Sequence, residues 1–247
     1  MKNILYLFLL FTQVFFAQSG FDAGNELYKN GKYEEAVNAY NAVLKSKKQS
    51  AELYYNLGNC YYKLNKVAPA IYNYEKALVL KPNDANTKNN LRFAQKRTVD
   101  EIKVIPKVGF AKILRDFTAS YNYNIWGYIS VIFSGLFLIA FLGYYFSKNS
   151  AVKRVFFFGM FVMVVLMVIS ILAAIFEMDQ FKNERPAIVF AEAVDIKKEP
   201  QSASKTIIAL HEGAKVYVQE TVNNWKKVQL TDGTEGWIEK TAIVEVK

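Results

Sequence analysis

Two stretches of this chain, residues 125–146 and 155–176, each run for 22 positions without a charged side chain. As helices rising 1.5 Å per residue they would measure about 33 Å, the thickness of a bilayer's hydrocarbon core. A helix satisfies its own backbone hydrogen bonds, so such runs settle in lipid at little polar cost. Trp126, Tyr128, Tyr144 and Tyr145 stand near the ends of the first run, where amphipathic rings favour the membrane–water boundary. A helical hairpin buried in a soluble domain is the alternative, and it is disfavoured because neither run has a polar face. The chain is 52% hydrophobic yet 21% charged, so the remaining segments must carry the polar surface.

Residues 147–154 separate the runs and hold Lys148, Lys153 and Arg154 with no acid, which marks a short cytoplasmic loop. The flank after the second run is mildly acidic, with Glu177, Asp179 and Glu184 against Lys182 and Arg185. The flank before the first run points the other way through Lys107, Lys112 and Arg115. The N-terminus supports the first orientation. Lys2, an apolar stretch over residues 4–16, and Ala17 before Gln18-Ser19-Gly20 have the layout of a secretory signal peptide over residues 1–17, with an uncleaved anchor helix as the alternative. Either version exports residues 18–124, and two later crossings return residues 177–247 to the same side. The expected location is a bacterial inner membrane with both soluble parts periplasmic.

Between these regions, residues 101–124 form a linker in which Phe110, Ile113, Leu114, Phe117 and Tyr121 recur at helical spacing, opposite Lys112, Arg115 and Asp116. That pattern predicts a helix lying on the membrane surface, or else one packed against protein.

The exported N-terminal part repeats itself. A shift of 34 residues brings Gly24 onto Gly58, Asn25 onto Asn59, Ala36 onto Ala70, Tyr40 onto Tyr74 and Leu44 onto Leu78. Gly58 lets one helix approach the next without a Cβ, Ala70 and Ala77 are small at the crossing, and Tyr61 and Tyr74 fill the space around them. Gly31 and Asn65 fall at the interhelical turns, where positive φ is tolerated by these residue types. Pro69 suits a first helical turn and Pro82 a helix end. With Tyr54, Leu57, Gly58, Tyr61, Ala70, Tyr74, Ala77 and Pro82 in place, residues 18–84 resemble two tetratricopeptide repeats. Residues 85–100 begin as a third helix but turn polar, leaving Leu91, Phe93 and Ala94, which predicts a capping helix. Two repeats and a cap make a small core. The unit is therefore expected to lean on a partner or on the membrane-proximal helix.

The tetratricopeptide resemblance implies a concave groove that binds extended peptide or a partner helix. Its lining would be Asn25, Tyr28 and Lys29 from the first copy and Glu52, Tyr55, Asn59, Tyr62 and Lys63 from the second. Asn59 would offer two hydrogen bonds to a peptide backbone or carboxylate. The family's basic clamp for a C-terminal carboxylate is out of register here, with Asn89 where a lysine would sit. Solvated helix surface is the plainer alternative for these residues. Cys60 sits at a small-residue position inside a helix, where a buried, inert thiol is expected.

From residue 187 the period changes to alternation. Residues 187–194, 206–210, 214–220, 225–230, 236–239 and 241–246 read as five or six short strands separated by turn residues, which suggests a small barrel. Asp195-Ile196-Lys197, Leu210-His211-Glu212-Gly213, Asn224-Trp225 and Gly236-Trp237-Ile238 resemble the bacterial SH3 domain over residues 187–247. That resemblance implies a peptidoglycan or protein ligand, with Trp225 and Trp237 as its aromatic surface, unless both serve as core bulk. His211 reads as an exposed turn residue.

The net charge of +9 is spread out: +1 over residues 1–17, +5 over 18–100, +2 over 101–124, +2 over 125–186 and −1 over 187–247. No dense basic stripe exists, so no nucleic-acid partner is expected. One cysteine and one histidine leave no metal cluster and no catalytic constellation, so neither enzyme activity nor a cofactor is expected. The fold class expected is a multidomain membrane protein: all-α repeats, a two-helix transmembrane hairpin and a small all-β SH3-like barrel. That order resembles the BatE-like family of bacterial aerotolerance (Bat) operons. The resemblance implies a scaffold in a stress-related complex with von Willebrand A-type membrane proteins and a MoxR-type ATPase. The residues alone support an adaptor with two recognition modules on one face of a lipid bilayer; the alternative, which the SH3 resemblance implies, is a peptidoglycan receptor in which the repeats are a spacer.

Overall fold

The computed structural model describes residues 20–102 and 109–247; the expected signal peptide lies outside them. The chain forms two compact units, one from residues up to 106 together with 185–247, the other from residues 107–184.

The first unit begins with five helices, α1 (residues 20–29), α2 (Tyr33–Lys45), α3 (Ala51–Lys63), α4 (Val67–Leu80) and α5 (Ala85–Gln95). The turns are where residue type placed them: Gly31 has φ 76° and Asn65 φ 58°, values that glycine and asparagine adopt with least strain. Ser50 accepts from the Leu53 amide and Asp84 from the Thr87 amide, so α3 and α5 start on side-chain caps. Pro69 lies in the first turn of α4 and Pro82 just beyond its end. A Cβ on Gly24 would stand 2.4 Å from the Tyr40 ring, and one on Gly58 would stand 2.5 Å from the Tyr74 ring. Each repeat is therefore closed by a glycine–tyrosine contact that no larger residue permits. Tyr40, Tyr74, Leu53, Leu57 and Ile71 are fully buried around these contacts.

Seven strands follow: β1 (Pro186–Val189), β2 (Ala193–Lys197), β3 (Thr206–His211), β4 (Lys215–Val222), β5 (Trp225–Gln229), β6 (Glu235–Glu239) and β7 (Ile243–Glu245). They form an antiparallel sheet in the order β3-β2-β6-β5-β4-β1-β7. The single strand expected over residues 187–194 is two. β1 pairs with β4 and β7, whereas β2 pairs with β3 and β6. At the break, the Phe190 amide donates to the Ala242 carbonyl. One inner face gathers Val189, Ile196, Leu210, Val216, Val228 and Ile238 into a core. Glu245 of β7 accepts from Arg185, just before β1, at 2.9 and 3.0 Å and from Lys226 of β5 at 2.6 Å. Burial pushes its carboxyl up, but the two cations outweigh that and hold it below the ordinary glutamate value.

The repeats lean on this sheet, a support different from the ones expected. Ile188 and Val246, both 0% exposed, complete the cluster of Val67, Ala70, Ile71 and Tyr74. Each such burial is worth about 1.5–3 kcal/mol. Phe190 meets Tyr72 edge-on at 5.8 Å, and Lys215 pairs with Glu75 at 2.7 Å. His211 is no free turn residue: its amide donates to Asp100 Oδ2 at 2.6 Å and its Nδ1 lies 2.8 Å from Oδ1. Val67, Ile71, Tyr72 and Glu75 all belong to α4, so the second helix of the second repeat carries most of the docking.

The second unit holds α6 (Phe110–Thr118), α7 (Tyr123–Phe146) and α8 (Ser150–Asn183). Lys153 and Arg154, read from sequence as part of a connecting loop, lie in the opening turns of α8, and only residues 147–149 join the helices. The two long helices are apolar enough to cross a membrane, and 6% of each apolar window is buried by protein. They meet at Gly143, where a Cβ would stand 2.5 Å from the Phe156 ring. Most of their large side chains, among them Ile132, Ile139, Phe157, Phe161 and Leu172, face outward. This inverts the rule for a water-soluble core and is compatible with membrane insertion.

Candidate recognition surfaces

The first-copy asparagine, Asn25, accepts on Oδ1 from Tyr40 Oη at 2.7 Å and from Asn56 Nδ2 at 2.9 Å. The second, Asn59, accepts on Oδ1 from Tyr74 Oη at 2.8 Å and from Asn90 Nδ2 at 2.8 Å. Each partner is again 34 residues from its counterpart. The result is a row of four amides crossing α1, α3 and α5, with α3 contributing both Asn56 and Asn59 three residues apart on one face. Because Oδ1 of Asn25 and Asn59 already receives two donors, the Nδ2 hydrogens are the part of each amide left for a ligand.

The sequence placed Asn25 and Asn59 in the groove but missed Asn56, Asn90 and the two tyrosine hydroxyls. The signal existed, since the 34-residue shift that aligns Tyr40 with Tyr74 also aligns Asn56 with Asn90. Burial pushes the Tyr40 hydroxyl up to about 12 and raises Tyr74 as well, so both stay neutral donors. Tyr55 packs tilted against Tyr74 at 6.2 Å and accepts from Asn90 Nδ2 at 3.2 Å, joining the row. A cavity of about 180 Å³ lies beside it, lined by Glu52, Tyr55, Lys81, Asp84, Asn86 and Thr87 among others.

The other expected groove residues make contacts of their own. Tyr28 packs on Tyr33 at 5.3 Å, and Lys29 pairs with Glu26 at 3.0 Å. Tyr62 lies under the Arg97 guanidinium, 3.8 Å from ring centre to Cζ, and Lys63 is exposed at the end of α3. Cys60 is fully buried, and burial pushes its thiol up to about 12, which leaves it unreactive at neutral pH.

On the sheet, Lys226 and Val228 of β5 and Gly236 and Ile238 of β6 are buried, while the alternate residues face out. Trp225 and Trp237 are both on that outer face and both half-buried. Trp237 lies directly opposite Lys227, and Trp225 opposite Glu239, so the two rings are diagonal neighbours within reach of one ligand. Lys227 pairs with Glu235 at 3.0 Å beside them. Neither tryptophan belongs to the buried core. Among the described residues no group of three or more His, Cys, Asp or Glu side chains is arranged to hold a metal ion.

Comparison with known proteins agrees with this division. Residues 24–65 match the TPR repeat family model and residues 51–84 the tetratricopeptide repeat model. Residues 191–245 match the bacterial SH3 domain model. Among curated proteins, the chain is similar to tetratricopeptide repeat protein 16 of Homo sapiens, 39% identical over 66 residues, 26% of this chain and 8% of that protein. It is similar to the Hsp70-Hsp90 organizing protein of Triticum aestivum, 34% identical over 61 residues, 25% of this chain and 10% of that protein. Sperm-associated antigen 1 of Rattus norvegicus is 32% identical over 75 residues, 30% of this chain and 8% of that protein. The chain thus spans a tenth or less of the length of these relatives, and the likeness lies in the repeats. Tetratricopeptide repeats and a bacterial SH3 domain are interaction domains rather than catalytic ones.

Proposed function

We propose that this protein is a non-enzymatic inner-membrane adaptor whose repeat groove gathers a membrane partner on the periplasmic side, within a Bat-type stress complex. The observation that carries this reading is the amide row Asn25–Asn56–Asn59–Asn90, fixed from behind by Tyr40 and Tyr74. Aligned amide donors beside an aromatic floor suit an extended peptide segment, whose carbonyl oxygens are acceptors at regular spacing. The von Willebrand A-type membrane proteins implied by the Bat resemblance are the partners to look for.

A photo-crosslinking side chain placed at Glu52, at the mouth of the groove, tests this in native membranes with the full chain. Crosslinks to a discrete membrane protein, lost when Asn59→Ala is added, are the expected result. Absence of any crosslink from Glu52 while a probe at Lys227 captures material would reject the groove.

The outward placement of Trp225 and Trp237 favours a second reading, a peptidoglycan receptor acting through the sheet. Retention of the detergent-solubilised full chain on wall sacculi, abolished by Trp237→Ala and untouched by Asn59→Ala, would establish it over the first.

A further inference from the structure

The short helix α6 carries its apolar residues on the side that protein leaves open. Phe110 is 78% exposed, Ile113 67%, Phe117 49% and, just beyond the helix, Tyr121 47%. At 3.6 residues per turn the first three fall within about 60° of one another. The far side does the opposite work: Thr118, about 110° round from the centre of that stripe, and Arg115, about 170° round, are bonded to the last turns of α8. Arg115 Nη1 lies 2.7 Å from Glu184 Oε1 and donates to Gln180 Oε1 at 2.6 Å, while Nη2 donates to Glu184 Oε2 at 2.9 Å. Thr118, 1% exposed, donates to Glu177 Oε1 at 2.6 Å.

The height of this attachment is fixed by chemistry. Glu177 is the first charged residue after the uncharged run of α8, so α6 is clasped where α8 turns from apolar to polar. The other long helix agrees. Trp126, in the first turn of α7 and 6% exposed, donates from Nε1 to the Thr118 carbonyl at 2.8 Å. Its ring packs against Phe117 at 5.3 Å and Tyr121 at 5.7 Å. Tyr123 meets Phe181 at 5.3 Å. Aromatic rings with a polar atom at this level are the usual mark of the membrane–water boundary.

We propose that α6 is a lipid-interface helix: Phe110, Ile113 and Phe117 seat between headgroups and acyl chains of the bilayer that α7 and α8 span, and the Arg115 and Thr118 bonds to α8 set their depth. The lipid is the occupant because the open face is continuous with the two spanning helices, whose own outward residues require the same medium. Exposed Lys112, on the opposite side, faces headgroups and water. The proposal rests on the reading of α7 and α8 as membrane-spanning, and the experiment separates the two.

Single cysteines are introduced as Ile113→Cys, Lys112→Cys and Ile139→Cys in the full chain and labelled with a nitroxide. The labelled chains are placed in nanodiscs of mixed zwitterionic and anionic phospholipid. The unsubstituted chain, whose only thiol is buried, is the labelling blank. Collision with oxygen, which concentrates in lipid, is compared with collision with a water-soluble nickel chelate. The expected result is an oxygen-to-nickel ratio several-fold higher at position 113 than at 112, approaching that at 139. Adding Arg115→Ala is expected to lower the ratio at 113 while leaving 139 unchanged. An aqueous signal at 113 with a lipid signal at 139 overturns the proposal and leaves the spans standing. Aqueous signals at both positions overturn the spans as well. A label at 113 shielded from both reagents means that protein covers the face, which also overturns the proposal.

Discussion

The repeats and the apolar hairpin use one steric device in two settings. In each, a glycine on one helix receives an aromatic ring from the next: Gly24 with Tyr40, Gly58 with Tyr74, Gly143 with Phe156. The difference is one oxygen atom. The tyrosines carry a hydroxyl that passes the glycine and bonds to the following asparagine, Asn25 or Asn59; the phenylalanine carries none. Where water supplies competing partners, a polar atom at the contact can be turned toward a recognition surface. Between the two apolar helices, an unpaired hydroxyl would cost free energy, and the ring there carries none.

Adding a methyl group breaks the device most severely where the ring cannot move. Tyr74 is 1% exposed, so Gly58→Ala should overpack the repeat by up to about 3 kcal/mol. The better helix propensity of alanine returns about 1 kcal/mol, leaving a net loss of about 2 kcal/mol in denaturant unfolding of the full chain. An unchanged midpoint would show that Tyr74 has somewhere to go.

A slightly smaller loss is expected from the support behind the repeats. Lys215→Met strands the Glu75 carboxylate, whose side chain is 10% exposed. Breaking such a pair costs about 3–5 kcal/mol when fully buried, and the 25% exposure of Lys215 reduces this to about 1.5–2 kcal/mol. Hydrogen exchange should show the loss concentrated in α4.

Tyr74→Phe makes the contact in the repeats chemically identical to the one in the hairpin. It removes one hydrogen bond, worth about 1 kcal/mol, and leaves the Asn59 amide held by Asn90 alone. The expected signature is a modest drop in stability with a larger drop in groove crosslinking. Equal losses would mean that the hydroxyl serves packing alone.

The smallest effect is expected at Gly143→Ala. Phe156 is partly exposed, so its ring can swing outward, and the helix-propensity gain nearly cancels the strain. The change in stability should stay within about 0.5 kcal/mol, measured by unfolding in detergent micelles. A loss comparable to that at Gly58 would mean the hairpin is packed as tightly as the repeats.

What the sequence made legible follows from how local each cause is. Positive φ at Gly31 and Asn65, the start of α4 around Pro69 and the uncharged helices are set by residues within one or two turns, and each is where the chemistry of those residues puts it. The break between β1 and β2 carries no glycine or proline in Ala187-Ile188-Val189-Phe190-Ala191-Glu192. It arises because the two halves pair with different strands, a choice made at long range. The docking of the sheet on α4 was hidden for a related reason. Val67, Ile71 and Ile188 are ordinary core residues by type, and nothing in their spacing says that the cores they fill belong to different domains. Asn56 and Asn90 lay between these extremes: their period was visible, and their meaning needed the helix faces.

The amide row also limits how the groove can adapt. Turning Asn59 to suit a ligand would break its bonds to Tyr74 and Asn90 together, and Asn25 is bound to Tyr40 and Asn56 in the same way. The four groups therefore act as a fixed ruler with marks set by the helix spacing. On the function proposed above, an extended peptide backbone suits such a ruler better than a rounded protein surface does.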